Sequence, residues 1–214
     1  MTFDSDTNKE ENLQPKPQTT ENNSQSQSNK LINTLRIGGG ISNPSSPDDF
    51  SKYWNMGYNI VFGFNFGISS IVGIGTEINY GSFGLNGDKL FENAGLSGYN
   101  LNISGGNVSV LLVLIDLKIN MTREAIRPYL IGGLGYYKQE FSAATLSIPG
   151  VGSQSINSNT ENGFTFGVGI GIDIDVSPKV ALFFEGKLQS NVGEQENTNY
   201  IPIRAGIDLS LSKD

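Results

Sequence analysis

The chain has 214 residues, 27 of them glycine, a net charge of −7, and neither cysteine nor histidine. The lack of cysteine excludes disulfides, thiolate catalysis and cysteine-ligated zinc, and the lack of histidine excludes a Ser-His-Asp triad and a histidine-ligated metal. The acidic balance argues against a nucleic-acid partner, because nucleic acids select basic surfaces. We therefore expect no catalytic residues, no metal site and no cofactor.

The first 31 residues are rich in Asn, Gln, Ser, Glu and Pro and contain almost no apolar side chains after Phe3. This composition cannot bury enough surface to offset the entropy of ordering, so it predicts a disordered polar tail over residues 1–31. A single domain is predicted over residues 32–214. The tail has neither the basic n-region nor the apolar h-region of a secretory signal, so export would imply that this chain is a processed form.

Eight segments in which apolar residues alternate with small or polar ones begin at Thr34. The alternation is less regular in the fourth segment, where Leu112 and Leu114 share a face with Asp116 and Lys118, and it is ambiguous in the fifth. Period two predicts β-strands, because successive side chains leave opposite faces of a strand. In the sixth segment, GFTFGVGIGIDIDV, large apolar residues alternate with glycine, threonine and aspartate. Between the segments only LFENAGL, at Leu90–Leu96, suggests a helical turn. The strands are expected at residues 34–42, 54–69, 71–83, 106–120, 127–141, 163–176, 180–190 and 200–211.

The connections between these strands alternate strictly between short and long. The four long ones are expected at about residues 43–53, 84–105, 142–162 and 191–199. In an up-and-down barrel, alternate connections lie at the same end, and tight turns opposite long loops are typical of outer-membrane barrels. The sequence thus predicts an all-β fold, an eight-stranded antiparallel up-and-down transmembrane β-barrel. The alternative is a soluble β-sandwich or lipocalin-like binder, whose bulky apolar side chains would face inward.

In the barrel interpretation, lipid contacts the face of each strand that carries large apolar residues. The glycine-rich face lines a lumen that is too narrow for bulky side chains. Ile170 is accordingly assigned to lipid and Gly169 to the lumen. Arginine at position 170 is expected to block membrane assembly, whereas Gly169→Ser is expected to be mild. A girdle at the lipid headgroups, rather than a sugar-binding platform, is predicted for the aromatic residues near the long loops, namely Tyr53, Trp54, Tyr80, Phe83, Tyr136, Tyr137, Phe141 and Phe164.

Charged residues on the predicted inner face form the main candidate site. Buried charges must be paired, so a salt-bridge network that fills the lumen is favoured over a proton or ion path. The first and last strands become neighbours when a barrel closes, which suggests the pairs Arg36–Asp208 and Arg204–Glu185. Asp173 and Asp175 are interpreted as polar residues at a strand end rather than as calcium ligands. The expected lumen network comprises Arg36, Glu77, Asp116, Lys118, Asp173, Asp175, Glu185, Lys187, Arg204 and Asp208.

The eight-strand pattern and the motif RPYLIGGLGYY, at Arg127–Tyr137, resemble the small outer-membrane β-barrel family, which includes the OmpA-like transmembrane domain and OmpX. The resemblance covers about residues 34–211. It implies a closed, porin-family barrel with variable surface loops, in the outer membrane of a Gram-negative bacterium. The chain departs from the family at its C-terminus, where Leu211 stands near the position of the usual terminal aromatic residue.

Two functions remain open. The first is a non-enzymatic outer-membrane barrel with a structural role or a surface-loop role in adhesion or host interaction, and the alternative is a small porin-like channel. A lipid-modifying or proteolytic barrel is disfavoured, because the barrel enzymes considered depend on histidine. The expected partners are outer-membrane lipid, the barrel insertion machinery and a host or matrix ligand, and the expected state is a monomer. Two interpretations are open for the apolar loop residues, namely binding of such a ligand or packing over the barrel mouth. These residues are Leu90, Phe91, Leu96, Leu146, Ile148 and Val151.

Overall fold

The computed structural model describes residues 33–97, 99, 101–193 and 196–211. The predicted tail over residues 1–31 lies outside this part of the chain, as does Ile32, so the division into a tail and one domain stays a prediction. The elements in chain order are β1 Thr34–Ser46, α1 Asp48–Tyr53, β2 Gly57–Gly67, β3 Val72–Phe83, α2 Gly87–Asn93, β4 Asn102–Gly105, β5 Val108–Asn120, β6 Ile126–Phe141, β7 Ala144–Ile148, β8 Gly152–Ile156, β9 Asn159–Ser177, β10 Val180–Val192 and β11 Thr198–Ser210.

Eight of these strands form a closed antiparallel barrel in the order β1-β11-β10-β9-β6-β5-β3-β2. The ring closes where β1 pairs with both β11 and β2. Each barrel strand overlaps one predicted segment. Long and short connections alternate as predicted up to β10, but the last connection, at residues 193–197, is no longer than the turn at residues 121–125, because β10 and β11 extend past their predicted ends. We call the end with short connections the turn end and the opposite end the loop end. The predicted fold is confirmed, and the soluble sandwich is wrong.

The strand faces follow the alternation in the sequence. Ile170 and Leu134 are about two-thirds exposed on the outer surface, whereas Val61 and Phe183 are fully buried inside. A soluble domain rarely exposes so continuous an apolar surface, so this belt matches a lipid environment. Among the described residues, no helix is long and apolar enough to cross a membrane.

Glycines on the inner face make room for large side chains on the neighbouring strands. A Cβ built on Gly171 would lie 2.3 Å from Cζ of Tyr129, and one on Gly133 would lie 2.1 Å from Oδ1 of Asp116. The geometry at Gly169 argues against the expectation that Gly169→Ser is mild. A Cβ at Gly169 would lie 2.4 Å from the carbonyl oxygen of Gly186 on the adjacent strand, and backbone cannot move aside as a side chain can.

The long connections contain structure that the alternation did not predict. Helix α1 lies between β1 and β2, and α2 begins three residues before the expected turn at Leu90–Leu96. Asn86 caps α2, because its side-chain oxygen accepts a hydrogen bond of 3.0 Å from the backbone N–H of Lys89. Strands β4, β7 and β8 form a separate three-stranded sheet, here called the loop sheet, which joins the second and third long loops.

Candidate functional site

The turn-side half of the lumen contains a continuous network of paired charges. Arg36 donates two hydrogen bonds to Asp208, of 2.8 and 2.7 Å, and a third of 2.9 Å to Glu185. Both acceptors belong to strands near the closure of the barrel, β11 and β10. The Arg36–Asp208 pair suggested by strand adjacency is therefore present, with a geometry in which both carboxylate oxygens are bonded.

Arg204 binds two carboxylates at once. Its Nη1 and Nη2 atoms donate to the two oxygens of Glu77 at 2.7 and 2.6 Å, and its Nε atom donates to Glu185 at 2.9 Å. The contact with Glu77 is bidentate, which fixes the orientation of the guanidinium as well as its distance. Glu77 lies on β3 and Arg204 on β11, so the contact connects non-neighbouring strands through the lumen.

Two lysines complete the network. Lys118 Nζ lies 2.5 Å from Asp173 Oδ2, and Lys187 Nζ lies 3.0 Å from Asp116 Oδ1 and 3.2 Å from Glu77 Oε2. Tyr129 supports the same region, since its hydroxyl donates to Glu185 at 2.9 Å and its ring centroid lies 3.9 Å from Lys118 Nζ. Nine of the ten charges singled out in the sequence are thus buried together, and each lies within ion-pair distance of an opposite charge.

Asp175 is the predicted lumen residue that lies outside this network. It sits at the turn-end rim and forms an ion pair with Arg127, with one hydrogen bond of 2.6 Å from Nη2 to Oδ1. Asp175 lines the turn-end cavity, so it lies on the inner face as predicted, but β9 has reached the rim there and the side chain is 38% exposed. Its assignment to the buried network is wrong. Arg127 was not counted among the site residues, although it stands at the first position of the RPYLIGGLGYY motif.

The loop-side half of the lumen carries bulky apolar side chains, which the sequence interpretation did not foresee, beside buried polar ones such as Asn59, Gln139 and Asn191. The apolar side chains form a cluster that we call the apolar plug. Leu112 and Leu114 of β5 are only 1% exposed. The prediction that the lumen is too narrow for bulky side chains is therefore wrong where these two residues lie. The plug comprises Phe50, Phe83, Val108, Val110, Leu112, Leu114, Tyr137 and Tyr200, with Trp54 and Phe141 packed against it.

This arrangement corrects the predicted aromatic girdle. Phe83 and Tyr137 are fully buried inside the barrel, and Trp54 and Phe141 contact the plug. The alternation itself explains the error, because Phe83 and Tyr137 are out of phase with the lipid-facing residues of their own strands. Of the aromatic residues assigned to the girdle, Tyr80, Tyr136 and Phe164 are exposed on the outer surface, and Tyr53, the last residue of α1, is half-buried.

Helix α1 closes the loop end of the lumen. Phe50 points from α1 onto Phe83, with ring centroids 5.1 Å apart in an edge-to-face arrangement. Trp54, which follows the helix, packs against Phe141 and donates a hydrogen bond of 3.0 Å from Nε1 to the carbonyl oxygen of Gly106. The first long loop is therefore folded into the mouth and attached to the second loop and to β6.

A cavity of about 440 Å³ opens at the turn end. Its walls carry Lys118, Arg123, Arg127 and Lys179 together with Asp173, Asp175 and Asp208. The cavity ends below the charge network, and the apolar plug lies beyond that network. Within the described residues, no group of three or more acidic side chains is placed to hold a metal ion.

The six apolar loop residues singled out in the sequence do not share one environment. Leu90 and Phe91 of α2 and Leu146 of β7 are half-buried within the loops, which fits packing. Leu96 and Ile148 are exposed by more than a third, and Val151 at the tip of the β7–β8 hairpin is 80% exposed. Tyr99 and Ile156, which the sequence analysis did not single out, are also well exposed on this structure.

Solved structures with the same fold are small outer-membrane barrels. Neisserial surface protein A is 13% identical, with a TM-score of 0.56 over 84% of this chain and 97% of that one. Ail, the attachment invasion locus protein of Yersinia pestis, is 13% identical, with a TM-score of 0.52 over 84% and 99% of the two chains. A complex of Ail with the heparin analogue sucrose octasulfate gives 12% identity and a TM-score of 0.50, with the same coverage. A search of curated protein sequences gave no match.

The family model described as the outer membrane protein beta-barrel domain matches residues 22–201. This match spans most of the chain and agrees with the closed eight-stranded barrel, the lipid-facing apolar belt and the alternation of turns and loops. The resemblance inferred from the RPYLIGGLGYY motif is thereby confirmed. The chain belongs to the outer-membrane β-barrel domain family, and it is a protein of the outer membrane.

Proposed function

We propose that this protein is a non-enzymatic barrel that acts through its extracellular loops, in adhesion or host interaction. The observation that carries the proposal is the loop sheet, an ordered surface with exposed apolar side chains on a rigid barrel. Interaction sites are commonly carried by loops on such scaffolds. Val151, Ile156 and Tyr99 have 60% or more of their surface exposed, so barrel packing does not account for them.

The lumen supports a structural role over the porin-like alternative. Conduction would need a hydrated path through the barrel, whereas the plug residues Phe83 and Val108 are fully buried and Leu112 and Leu114 nearly so. The charges below them are held in pairs, an arrangement that braces the strands across the lumen.

We also propose that the protein is a monomer and that the barrel insertion machinery inserts it into the membrane. A closed barrel has no free strand edge to pair with a second copy, which supports the monomeric state. The similar barrel of Ail carries the name attachment invasion locus protein and was crystallised with a heparin analogue, so this fold can present an adhesive loop surface.

The experiment compares whole bacteria that carry the intact protein with bacteria that carry Ile148→Ser combined with Val151→Ser. Adhesion to host cells and to matrix proteins is measured at matched surface amounts, and folding is checked by heat-modifiable gel migration. The double variant is expected to lose most of its adhesion while its migration is unchanged. Ser153→Ala combined with Ser155→Ala, in the same hairpin, serves as the control and should adhere normally. Full adhesion of the Ile148/Val151 variant would reject the proposal.

A further inference from the structure

The two ends of the barrel carry charges of opposite sign. The exposed and half-exposed charged residues of the described turn end are three basic and two acidic: Arg123, Arg127, Lys179, Glu124 and Asp175. The described loop end has seven carboxylates and three lysines: Asp48, Asp49, Asp88, Glu92, Glu140, Glu161, Glu196, Lys52, Lys89 and Lys138. Glu194, between β10 and β11 in the sequence, lies outside the described residues. The extracellular surface is therefore acidic.

The carboxylates and the apolar residues of the loop end occupy separate zones. Strands β4, β7 and β8 contain no charged residue, and neither does the β7–β8 turn at Pro149–Val151. The exposed Val151 and Ile156 belong to this neutral hairpin. The acidic residues lie on other elements, and helix α2, which carries Asp88 and Glu92, contacts β4 at one edge of the loop sheet. A partner that covers the loop sheet and α2 would therefore meet apolar side chains with an acidic border on the α2 side.

Few of these carboxylates are engaged by the protein itself. Lys52 lies 3.8 Å from Asp48, four residues earlier on α1, and both side chains are largely exposed. Such a contact between solvated side chains is weak, so it leaves most of the negative potential in place. For Asp88 and Glu92 on α2 the described residues provide no ion pair at all. Their charge is thus available to an external cation.

We propose that the loop sheet binds a protein surface that combines apolar side chains with Lys or Arg, and that it does not bind a sulfated polysaccharide. This inference rests on the proposed function and specifies the partner. A basic partner would be attracted by the acidic border and would cover the apolar residues beside it. A polyanion such as the heparin analogue bound by Ail would bring its sulfates against an excess of carboxylates, and like charges oppose association.

The test uses the intact protein in nanodiscs of zwitterionic lipid, with empty nanodiscs as the reference. Three probes are compared: an amphipathic Lys/Leu peptide, a Glu/Leu peptide of the same length, and sucrose octasulfate. The Lys/Leu peptide is expected to bind, and its affinity should fall several-fold as salt rises from about 15 to about 150 mM, because the Debye length shortens over that range. The other two probes are expected to show no saturable binding.

Two variants locate the binding. Asp88→Asn combined with Glu92→Gln removes charge from α2, and Val151→Ser combined with Ile156→Ser removes apolar surface from the hairpin. Each is expected to weaken Lys/Leu peptide binding by about fivefold or more. Glu124→Gln, which removes one exposed carboxylate at the turn end, is the matched control and should bind as the intact protein does. Saturable binding of sucrose octasulfate, or peptide binding that both loop variants leave unchanged, would overturn the proposal.

Failure of this inference can be separated from failure of the proposed function. The Lys/Leu peptide is added to the adhesion assay as a competitor. If the hairpin variant abolishes adhesion and the peptide does not compete, the loops bind a host ligand but the ligand is not basic, and the inference is wrong. If the peptide competes and binding depends on Asp88 and Glu92, the inference stands together with the proposed function.

Discussion

Arg36 on the first barrel strand and Asp208 on the last are joined by two hydrogen bonds, of 2.8 and 2.7 Å, and their backbones are paired in the β1–β11 register. The pair therefore lies on the seam where the two ends of the sheet meet. Closure of the barrel brings the two charges together, and their contact in turn fixes the register of the closing strands. The same guanidinium also reaches Glu185 on β10, so the seam is connected to the rest of the lumen network.

Removing one partner of this pair should destabilise the barrel strongly. Asp208→Asn leaves Arg36 with less compensating charge in a buried site, and breaking a buried pair in this way typically costs about 3–5 kcal/mol. Arg36→Met should cost a similar amount, because it leaves Asp208 dependent on Lys118 Nζ at 3.9 Å. The free energy of unfolding is measured by urea titration in lipid vesicles.

The double variant Arg36→Met with Asp208→Asn is the informative comparison. It removes both charges, so it should be less destabilised than the sum of the two single variants. If the destabilisation of the double variant equals the sum of the two single destabilisations, the pair does not act as a unit, and the seam is held by backbone pairing alone.

The two faces of β9 can be tested separately. Ile170→Arg places a charge on the lipid face and should cost about 2–4 kcal/mol near the membrane centre. Gly169→Ser should also impair folding, by steric conflict with the backbone of Gly186. Gly81→Ala is the inner-face control, because its Cβ would lie 3.6 Å from the nearest atom, an ordinary contact distance. Folded fractions in vesicles are compared, and a poorly folding Gly81→Ala variant would contradict the steric account.

Much of the barrel follows from the sequence, because a period of two assigns each side chain to one face without knowledge of the partner strands. The contents of the lumen follow less directly. Leu112 and Leu114 are inner-face residues by alternation, yet their large size made β5 seem irregular. Their partners come from distant elements, such as Phe50 on α1, and a strand pattern carries no information about what crosses the barrel. Asp175 and Arg127 show a similar limit, since the position of the rim depends on strand tilt and register.

Deleting residues 1–30 should leave the barrel intact. The closing strand β1 begins at Thr34, and the backbone N–H of Leu211 donates to the carbonyl oxygen of Asn33, so the described seam is kept by the truncation. Heat-modifiable migration and the thermal midpoint in detergent should match those of the full chain. A large fall in the midpoint would mean that the N-terminal segment braces or plugs the barrel.

The intact protein should show no stable conductance in a planar lipid bilayer. The apolar plug and buried polar residues such as Gln139 and Asn191 occupy the loop-side half of the lumen, and the paired charges occupy the other half. Single-channel recording is the measurement, with protein whose folding has been verified by gel migration. Reproducible unitary steps from such protein would favour the porin-like function over the structural one.

The attachment of α1 to the plug predicts a local change after substitution of Phe50. Phe50→Ala removes the buried ring that contacts Phe83, and large-to-small changes at buried aromatic residues typically cost about 3–5 kcal/mol. Helix α1 has only six residues, so it should open locally while the strands stay paired. Lys52 is exposed on α1, and trypsin should cut after it much faster in the variant than in the intact protein. Cleavage after Lys89 on α2 should be unchanged in both proteins and provides the internal control. Phe164→Ala, which removes an aromatic ring from the outer surface, should not alter cleavage at Lys52. Equal cleavage at Lys52 in the intact protein and in Phe50→Ala would show that Phe50 does not hold the helix in the barrel mouth.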